Sequence, residues 1–374
     1  MTRRTFLKCM TGFLLASGGV GAAGYGFMQK KMFGALPDEN LIKEFMASSH
    51  YYNGEFHNLA EHAVLSDDSS TVMALLRSVF VRKENPAPQS TLPVKKNAFI
   101  DLQEKNDSLV WLGHSSFFMQ LSGKRILIDP VLSAYASPVF FSVRAFAGAT
   151  PYSAEDFPFL DYVFISHDHW DHLDYPTIMA LKPKIGKIIC GLGVKSHLLR
   201  WGFVHEQILE GDWGTSLALN DTLRVHFVPS QHFSGRTLVR NKTLWCGCVL
   251  ETAEHKIFFS GDSGYEAHFA EIGKTFNGID IALLDCGQYN EKWRYVHMTP
   301  EQASQAALDL KASALLPMHI GKFSLAYHAW NDPFIRIKKA SENKPYQLLT
   351  PLIGEAVELT YPLPAFSSWW ETVN

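Results

Sequence analysis

The sequence predicts an α/β protein: a four-layered αβ/βα sandwich of two mixed sheets face to face with helices outside, behind an N-terminal export signal or anchor and a helical extension. Two observations carry this. Short apolar, partly β-branched runs such as 161–165, 256–260 and 279–285 alternate with helix-start signals. Histidines and aspartates stand at the ends of those runs, at 167–174, at His232, at Asp262 and at His319. Strands followed by helices, with polar side chains gathered at strand ends, are the pattern of layered α/β domains.

The chain has 374 residues, of which 47% are apolar, enough for a sizeable core. A net charge of −3 gives no general basic field to gather a nucleic-acid backbone, so nucleic acid is not an expected partner. The five cysteines are too few and too irregular for a disulfide scaffold. Cys246 and Cys248 would face one side of a strand, as core residues.

In chain order, Arg3-Arg4 followed by Phe6-Leu7-Lys8 and an uncharged stretch from Cys9 to Met28 reads as a twin-arginine export signal or anchor over residues 1–30. The export machinery is then a partner, and the periplasm or the periplasmic face of the inner membrane the location. Residues 31–105 read as an extension of short helices. Leu41, Ile42, Phe45 and Met46, then Val72, Leu75 and Leu76, show helical spacing, and Asn85-Pro86-Ala87-Pro88 and Pro93 form a stiff connector. His50, His57 and His62 lie there without carboxylates in ligand spacing and read as surface or packing residues.

The catalytic domain is expected over 106–365. Leu109–Leu112 is a strand ending in Gly113-His114. A hairpin turns at Ser122-Gly123 and ends at Asp129-Pro130. Residues 133–149, rich in aromatics, suit either core or an acyl chain. The strand 161–165 then runs into Ser166-His167-Asp168-His169-Trp170-Asp171-His172-Leu173-Asp174, with Pro176 at the first turn of a helix. Imidazole and carboxylate at this density are ligands for divalent metal. His167 and His169 can turn to one ion, Asp171 and His172 to a second. Asp168 reads as a cap for the following helix or a proton shuttle, the cap being preferred. Strands at 188–190, 223–228, 256–260, 279–285 and 314–318 follow, with a helix over 194–201 and another starting at Thr299-Pro300-Glu301. His319, at the end of the last strand, closes the second metal.

These motifs resemble the metallo-β-lactamase fold superfamily, and within it the branch typified by N-acyl-phosphatidylethanolamine phospholipase D. The likeness runs from about residue 108 to 333: Trp111-Leu112-Gly113-His114, the His167–His172 cluster, Pro229-Ser230-Gln231-His232, Gly261-Asp262, and His297 before Pro300-Glu301. Ile320 stands where the branch has tryptophan. The resemblance implies that His232 is the third ligand of the first metal and that Asp262 bridges the two. It implies that Asp129 orients a ligand histidine from behind, that His114 borders the pocket or packs, and that His297 contacts substrate or leaving group.

With two zinc ions, or iron or manganese in their place, a metal-bridging hydroxide would hydrolyse an ester, lactone or phosphodiester, with Asp171, Asp262 and His297 serving catalysis. The branch implies a phospholipase D acting on N-acylated phosphatidylethanolamine, with a membrane as a possible partner. A lactonase or small-molecule phosphodiesterase is the alternative, and a non-catalytic, membrane-tethered metal-binding protein ranks below it.

Overall fold

A computed structural model describes residues 24–64, 85–96, 99, 106–139 and 141–373. The arginine pair and most of the uncharged stretch lie outside these residues, as do Val72, Leu75 and Leu76. Among the described residues, no helix is long and apolar enough to cross a membrane.

The extension contributes helix α1 (Glu39–Phe45), capped by Asp38, whose carboxylate accepts from the N–H groups of Asn40 and Leu41. A hairpin of β1 (Tyr51–Tyr52) and β2 (Glu55–Phe56) follows. The first large sheet contains β3 (Ser108–Trp111), β4 (Phe117–Leu121), β5 (Lys124–Ile128), β6 (Leu160–Ile165), β7 (Ile185–Gly191) and β8 (Ile208–Gly211). The second contains β9 (Ser216–Ala218), β10 (Arg224–Val228), β11 (Gly247–Glu251), β12 (Lys256–Phe259), β13 (Ile279–Asp285), β14 (Ala312–Met318) and β15 (Gln347–Leu348). Strand β16 (Ala356–Glu358) returns to pair antiparallel with β3.

Sheet order is β16-β3-β4-β5-β6-β7-β8 in one sheet and β15-β14-β13-β12-β11-β10-β9 in the other. Each sheet is half antiparallel and half parallel, the change falling at β5 in the first and at β12 in the second. The parallel halves are joined through α2 (Tyr175–Leu181) and α3 (Lys195–Arg200) on one side and α4 (His268–Thr275) and α5 (Pro300–Asp309) on the other, with α6 (Asp332–Ala340) after β14.

Period-two alternation builds the four layers. Trp111, Phe117, Ile128, Phe259 and Leu283 point into the core between the sheets. Their chain neighbours Val110, Phe118 and Leu127 pack under the helices of the first sheet, and Phe258, Ala282 and Leu284 under those of the second. Central strands such as β4 and β13 are buried on both faces, so their runs read as almost continuously apolar. The β4–β5 hairpin closes in two residues with positive φ at Ser122 (49°) and Gly123 (71°), as the type I′ turn demands. Cys246 and Cys248 both lie in the core between the sheets, and that core also takes in Trp369 and Trp370, beyond residue 365.

Among the described residues of 133–149, none lines the pocket described below. Phe146 packs into the main core against Trp330, while Ala136 with Val143 and Ala145 forms a small cluster around Val131 and Phe323. Phe146 and Ala136 thus serve packing, whereas Phe141 faces solvent.

Candidate metal centre and catalytic pocket

The site lies where the strand ends of both sheets meet. β6 delivers the His167–Asp174 loop, β10 delivers His232, β12 delivers Asp262, β13 delivers Asp285 and β14 delivers His319. Asp129, His114 and His319 hold positive φ (40°, 55° and 63°), a backbone state that costs non-glycine residues of order 1–3 kcal/mol and collects at functional sites. Two bonds across the sheets fix the two histidines: His114 N–H donates to Ile320 O (2.9 Å), and His319 N–H to His114 O (3.0 Å). Ile320 is buried in that link and does not line the pocket.

The structure gathers the seven expected ligand residues into two neighbouring sets. His167, His169, His232 and Asp262 form one, and Asp171, His172 and His319, joined by His114, the other. In the first, the His167 Nε2 and His232 Nε2 atoms lie 2.9 and 3.2 Å from His169 Nδ1. Asp262 stands between the sets. Its Oδ2 is 3.8 Å from His232 Nε2 and 3.1 Å from His172 Nε2, and its Oδ1 is 3.2 Å from His319 Nδ1.

Behind the rings, hydrogen bonds set which nitrogen faces inward. His232 Nδ1 donates to Val296 O (3.0 Å). His172 Nδ1 donates to Asp129 Oδ2 (2.7 Å), which also accepts from Ser166 Oγ (2.5 Å), while Ser166 Oγ meets His167 Nδ1 at 2.9 Å. Asp129 thus sits behind the ligand loop, fastened to it by its other oxygen through Ser166 N–H (2.8 Å). His114 is wholly buried and reaches Asp171 Oδ2 through Nε2 (2.8 Å), so it holds a carboxylate in place and does not border the pocket.

Electrostatics fit a cation. Burial, with neighbouring imidazoles, pushes His167, His232 and His319 well below the usual imidazole range, which leaves them neutral and able to ligate. Burial acts the same way on His172, but the Asp262 and Asp171 carboxylates outweigh it and carry the ring well above that range. Two buried carboxylates here demand positive charge. His172 Nε2 and Asp262 Oδ1 are buried without a hydrogen-bond partner, a state that metal ligation satisfies.

His297 is next to the sets, not inside the seven. Its Nδ1 bonds Asp285 Oδ2 (2.8 Å), and its ring stacks on His319 and lines the pocket. Burial opposes protonation of His297, but the buried Asp285 carboxylate prevails and raises its pKa.

Asp168 departs from expectation. The cap of α2 is Asp174, which accepts from Thr177 N–H. Asp168 turns away, to His197 Nε2 (3.0 Å) and Gly235 N–H (2.7 Å), because the helix starts at Tyr175, six residues later than a cap at 168 would require. Sequence reasoning also passed over Arg236. Its guanidinium is buried, donates to Asp168 O, Leu173 O and Met32 O, and lies 4.0 Å over the Trp170 ring. Asn58 was missed too: its side chain donates to His232 O (2.7 Å) and accepts from His232 N–H (3.1 Å) and Trp245 Nε1 (2.9 Å). Both act on ligand segments from far away in sequence, and no local pattern marks them. His57 and His62 stack on Tyr52 and Tyr295 and join neither set.

A sandwich of this topology with two His/Asp sets at its strand ends defines a metal-dependent hydrolase. Residues 124–320 match the family model described as beta-lactamase superfamily domain, and the chain belongs to that family. It is 35% identical over 327 residues to an uncharacterized protein of Mycobacterium tuberculosis, covering 86% of this chain and 87% of the relative. It is 29% identical over 279 residues to the mitochondrial N-acyl-phosphatidylethanolamine-hydrolyzing phospholipase D of Saccharomyces cerevisiae, covering 69% of this chain and 59% of that protein. Its fold is shared with Igni18, a metallo hydrolase of Ignicoccus hospitalis (TM-score 0.54, 23% identity, 69% of this chain and 100% of that one).

Proposed function

We propose that this hydrolase is a phospholipase D-type phosphodiesterase that cleaves N-acyl-phosphatidylethanolamine-like phospholipids with two divalent cations, zinc first among them. One observation carries the reading. Both ligand sets open into a single pocket of about 260 Å³ walled by Phe233, Trp293, Val296 and Leu325, with Arg240 also on its wall. Apolar walls suit acyl chains, and a guanidinium suits a phosphodiester. The likeness to the yeast phospholipase D supports the same substrate class.

His167, His169 and His232 would hold one ion and Asp171, His172 and His319 the other, with Asp262 between them. Bound there, such ions supply Lewis acidity and bring a water's pKa toward neutrality. The chain's own residues do the rest. Arg240 orients the phosphate, the apolar wall fixes the acyl chains and sheds water, and His297, held by Asp285 through Nδ1, presents its other nitrogen to give a proton to the departing alkoxide. Export through the twin-arginine machinery and residence in the periplasm or on the inner-membrane face belong to this reading, and rest on Arg3-Arg4 and the uncharged stretch after them.

The full-length chain, loaded with zinc, is given N-acyl-phosphatidylethanolamine in mixed micelles, and mass spectrometry follows phosphatidic acid. Product is expected, and is lost with chelator and in Asp262→Ala. Intact lipid beside a sample holding two metal ions per chain would sink this substrate. Turnover of a lactone panel by that sample would move the site to the lactonase alternative.

A further inference from the structure

A second cavity, on the other side of the loop that follows His232, has no part in the chemistry above. It is a cleft of about 560 Å³ between residues 25–36 and 235–242. Large apolar side chains on its walls face solvent: Leu238 is 85% exposed, Tyr25 65%, Leu36 49% and Val239 40%. Single exposed leucines are ordinary, but four large apolar groups around one cleft mark an interaction surface. Lys30, Lys31, Arg200 and Arg240 are exposed on the same two segments and on α3, and none pairs with a carboxylate among the described residues.

We infer that this face is the protein's docking surface for a lipid bilayer carrying anionic headgroups, with Leu238 and Val239 entering the acyl region. Exposed apolar side chains on segments that also carry exposed lysine and arginine are the composition that binds such an interface. The chain supplies a second argument. The described end of the uncharged stretch reaches this cleft, since Tyr25 and Met28 line it. Its exit is pinned to the catalytic domain: Arg200 donates to Gln29 O (2.7 Å), Trp201 Nε1 to Lys31 O (2.7 Å), Arg236 to Met32 O (2.9 Å), and Ala35 N–H to His197 Nδ1 (3.1 Å). An apolar stretch joined to the domain at this pinned point brings the exposed apolar side chains beside it to any bilayer that the stretch meets. The loop also reaches the chemistry, because Phe233 and Arg240 line the catalytic pocket while residues 235–239 line the cleft. A lipid rising beside Leu238 has one loop to pass before it meets the metal sets.

The inference rests on the lipid-hydrolase reading for its purpose, and its test is kept separate. A polarity-sensitive fluorophore is placed on Leu238→Cys in full-length Cys9→Ser protein, the remaining four cysteines being buried. Vesicles of phosphatidylethanolamine and phosphatidylglycerol, free of N-acyl lipid, are then added. The emission is expected to shift to the blue and to be quenched by bromine-labelled acyl chains, with weaker binding in high salt. The same label on Ile335→Cys, exposed on α6 and outside both cavities, is expected to stay unshifted. Protein that sediments with vesicles while the 238 label stays unshifted overturns the inference, as does failure to bind vesicles at all. A shift that follows protein concentration without vesicles overturns it as well and gives the face to a second copy of the chain. Docking without hydrolysis would leave this inference standing and sink the substrate, and hydrolysis without docking would do the reverse.

Discussion

The deepest structural demand in this molecule falls on Arg236. Its guanidinium donates to Asp168 O (2.8 Å), Leu173 O (2.6 Å) and Met32 O (2.9 Å), tying both ends of the metal-ligand loop to the N-terminal arm. Arg236→Met keeps the apolar stem and removes the donors. A hydrogen bond from a charged donor is worth about 1.5–3 kcal/mol, so three of them bound the loss at roughly 5–9 kcal/mol. Two effects reduce it. Burial has already pushed the guanidinium down to about 10, a desolvation cost that the variant no longer carries. Arg236 also lines the cleft, so water can reach some of the freed carbonyls. The expected net loss is about 3–5 kcal/mol, the size seen when one side of a buried ionic contact is deleted. The assay is urea unfolding of metal-loaded protein, in which the midpoint falls at unchanged slope. Release of metal to a chelator should quicken in parallel, because the loop carries four of the seven candidate ligands. A loss under about 1 kcal/mol with unchanged metal release would refute the reasoning, and the arm would then be an ornament on a loop that holds itself.

Asp129→Asn keeps an acceptor for Ser166 N–H but loses the oxygen that orients His172, so metal affinity in a competition titration should fall about 10–100-fold with the fold intact. Asn58→Ala strips both backbone bonds from His232, about 2 kcal/mol, and should weaken metal retention roughly 30-fold without touching a ligand. His297→Gln should lower kcat by about 10²–10⁴ while metal content and KM change little; an unaltered kcat would remove it from the proton transfer. Burial raises the Glu210 carboxyl to about 7, against backbone bonds from Gly193 and Lys195 that lower it. The folded state therefore binds the proton more tightly than the unfolded one, and this group's stabilisation, full below the unfolded value near 4.5, is lost as pH rises through about 7. Glu210→Gln should raise unfolding free energy at pH 8 by up to about 3 kcal/mol and leave pH 5 unchanged.

What the chain makes legible and what it hides divide along one line. The candidate ligand set stands out because chemistry restricts residue type: few side chains bind divalent metal, and four of the candidates share one six-residue segment after a strand. The sandwich could be read because strands buried on both faces must be apolar throughout, as in 279–285, where Ile281 and Leu283 face one layer and Ala282 and Leu284 the next. The short strands β9, β15 and β16 lack that signature because they are edge strands with little buried apolar length. Asp168 misled for a local reason: it stands in cap-like company, and only the fold brings His197 and Gly235 to its carboxylate. Arg236 and Asn58 are harder still. Arginine after glycine and asparagine after histidine are ordinary loop sequence, and their meaning comes from partners 63 to 204 and 174 positions away. Chemistry at the metal thus leaves its mark on composition, whereas the bonds that hold the metal loop still are made by common residues whose selection is geometric. That difference places the sensitive tests of this protein in the segments around the site, where single substitutions should alter metal retention while every ligand remains in the chain.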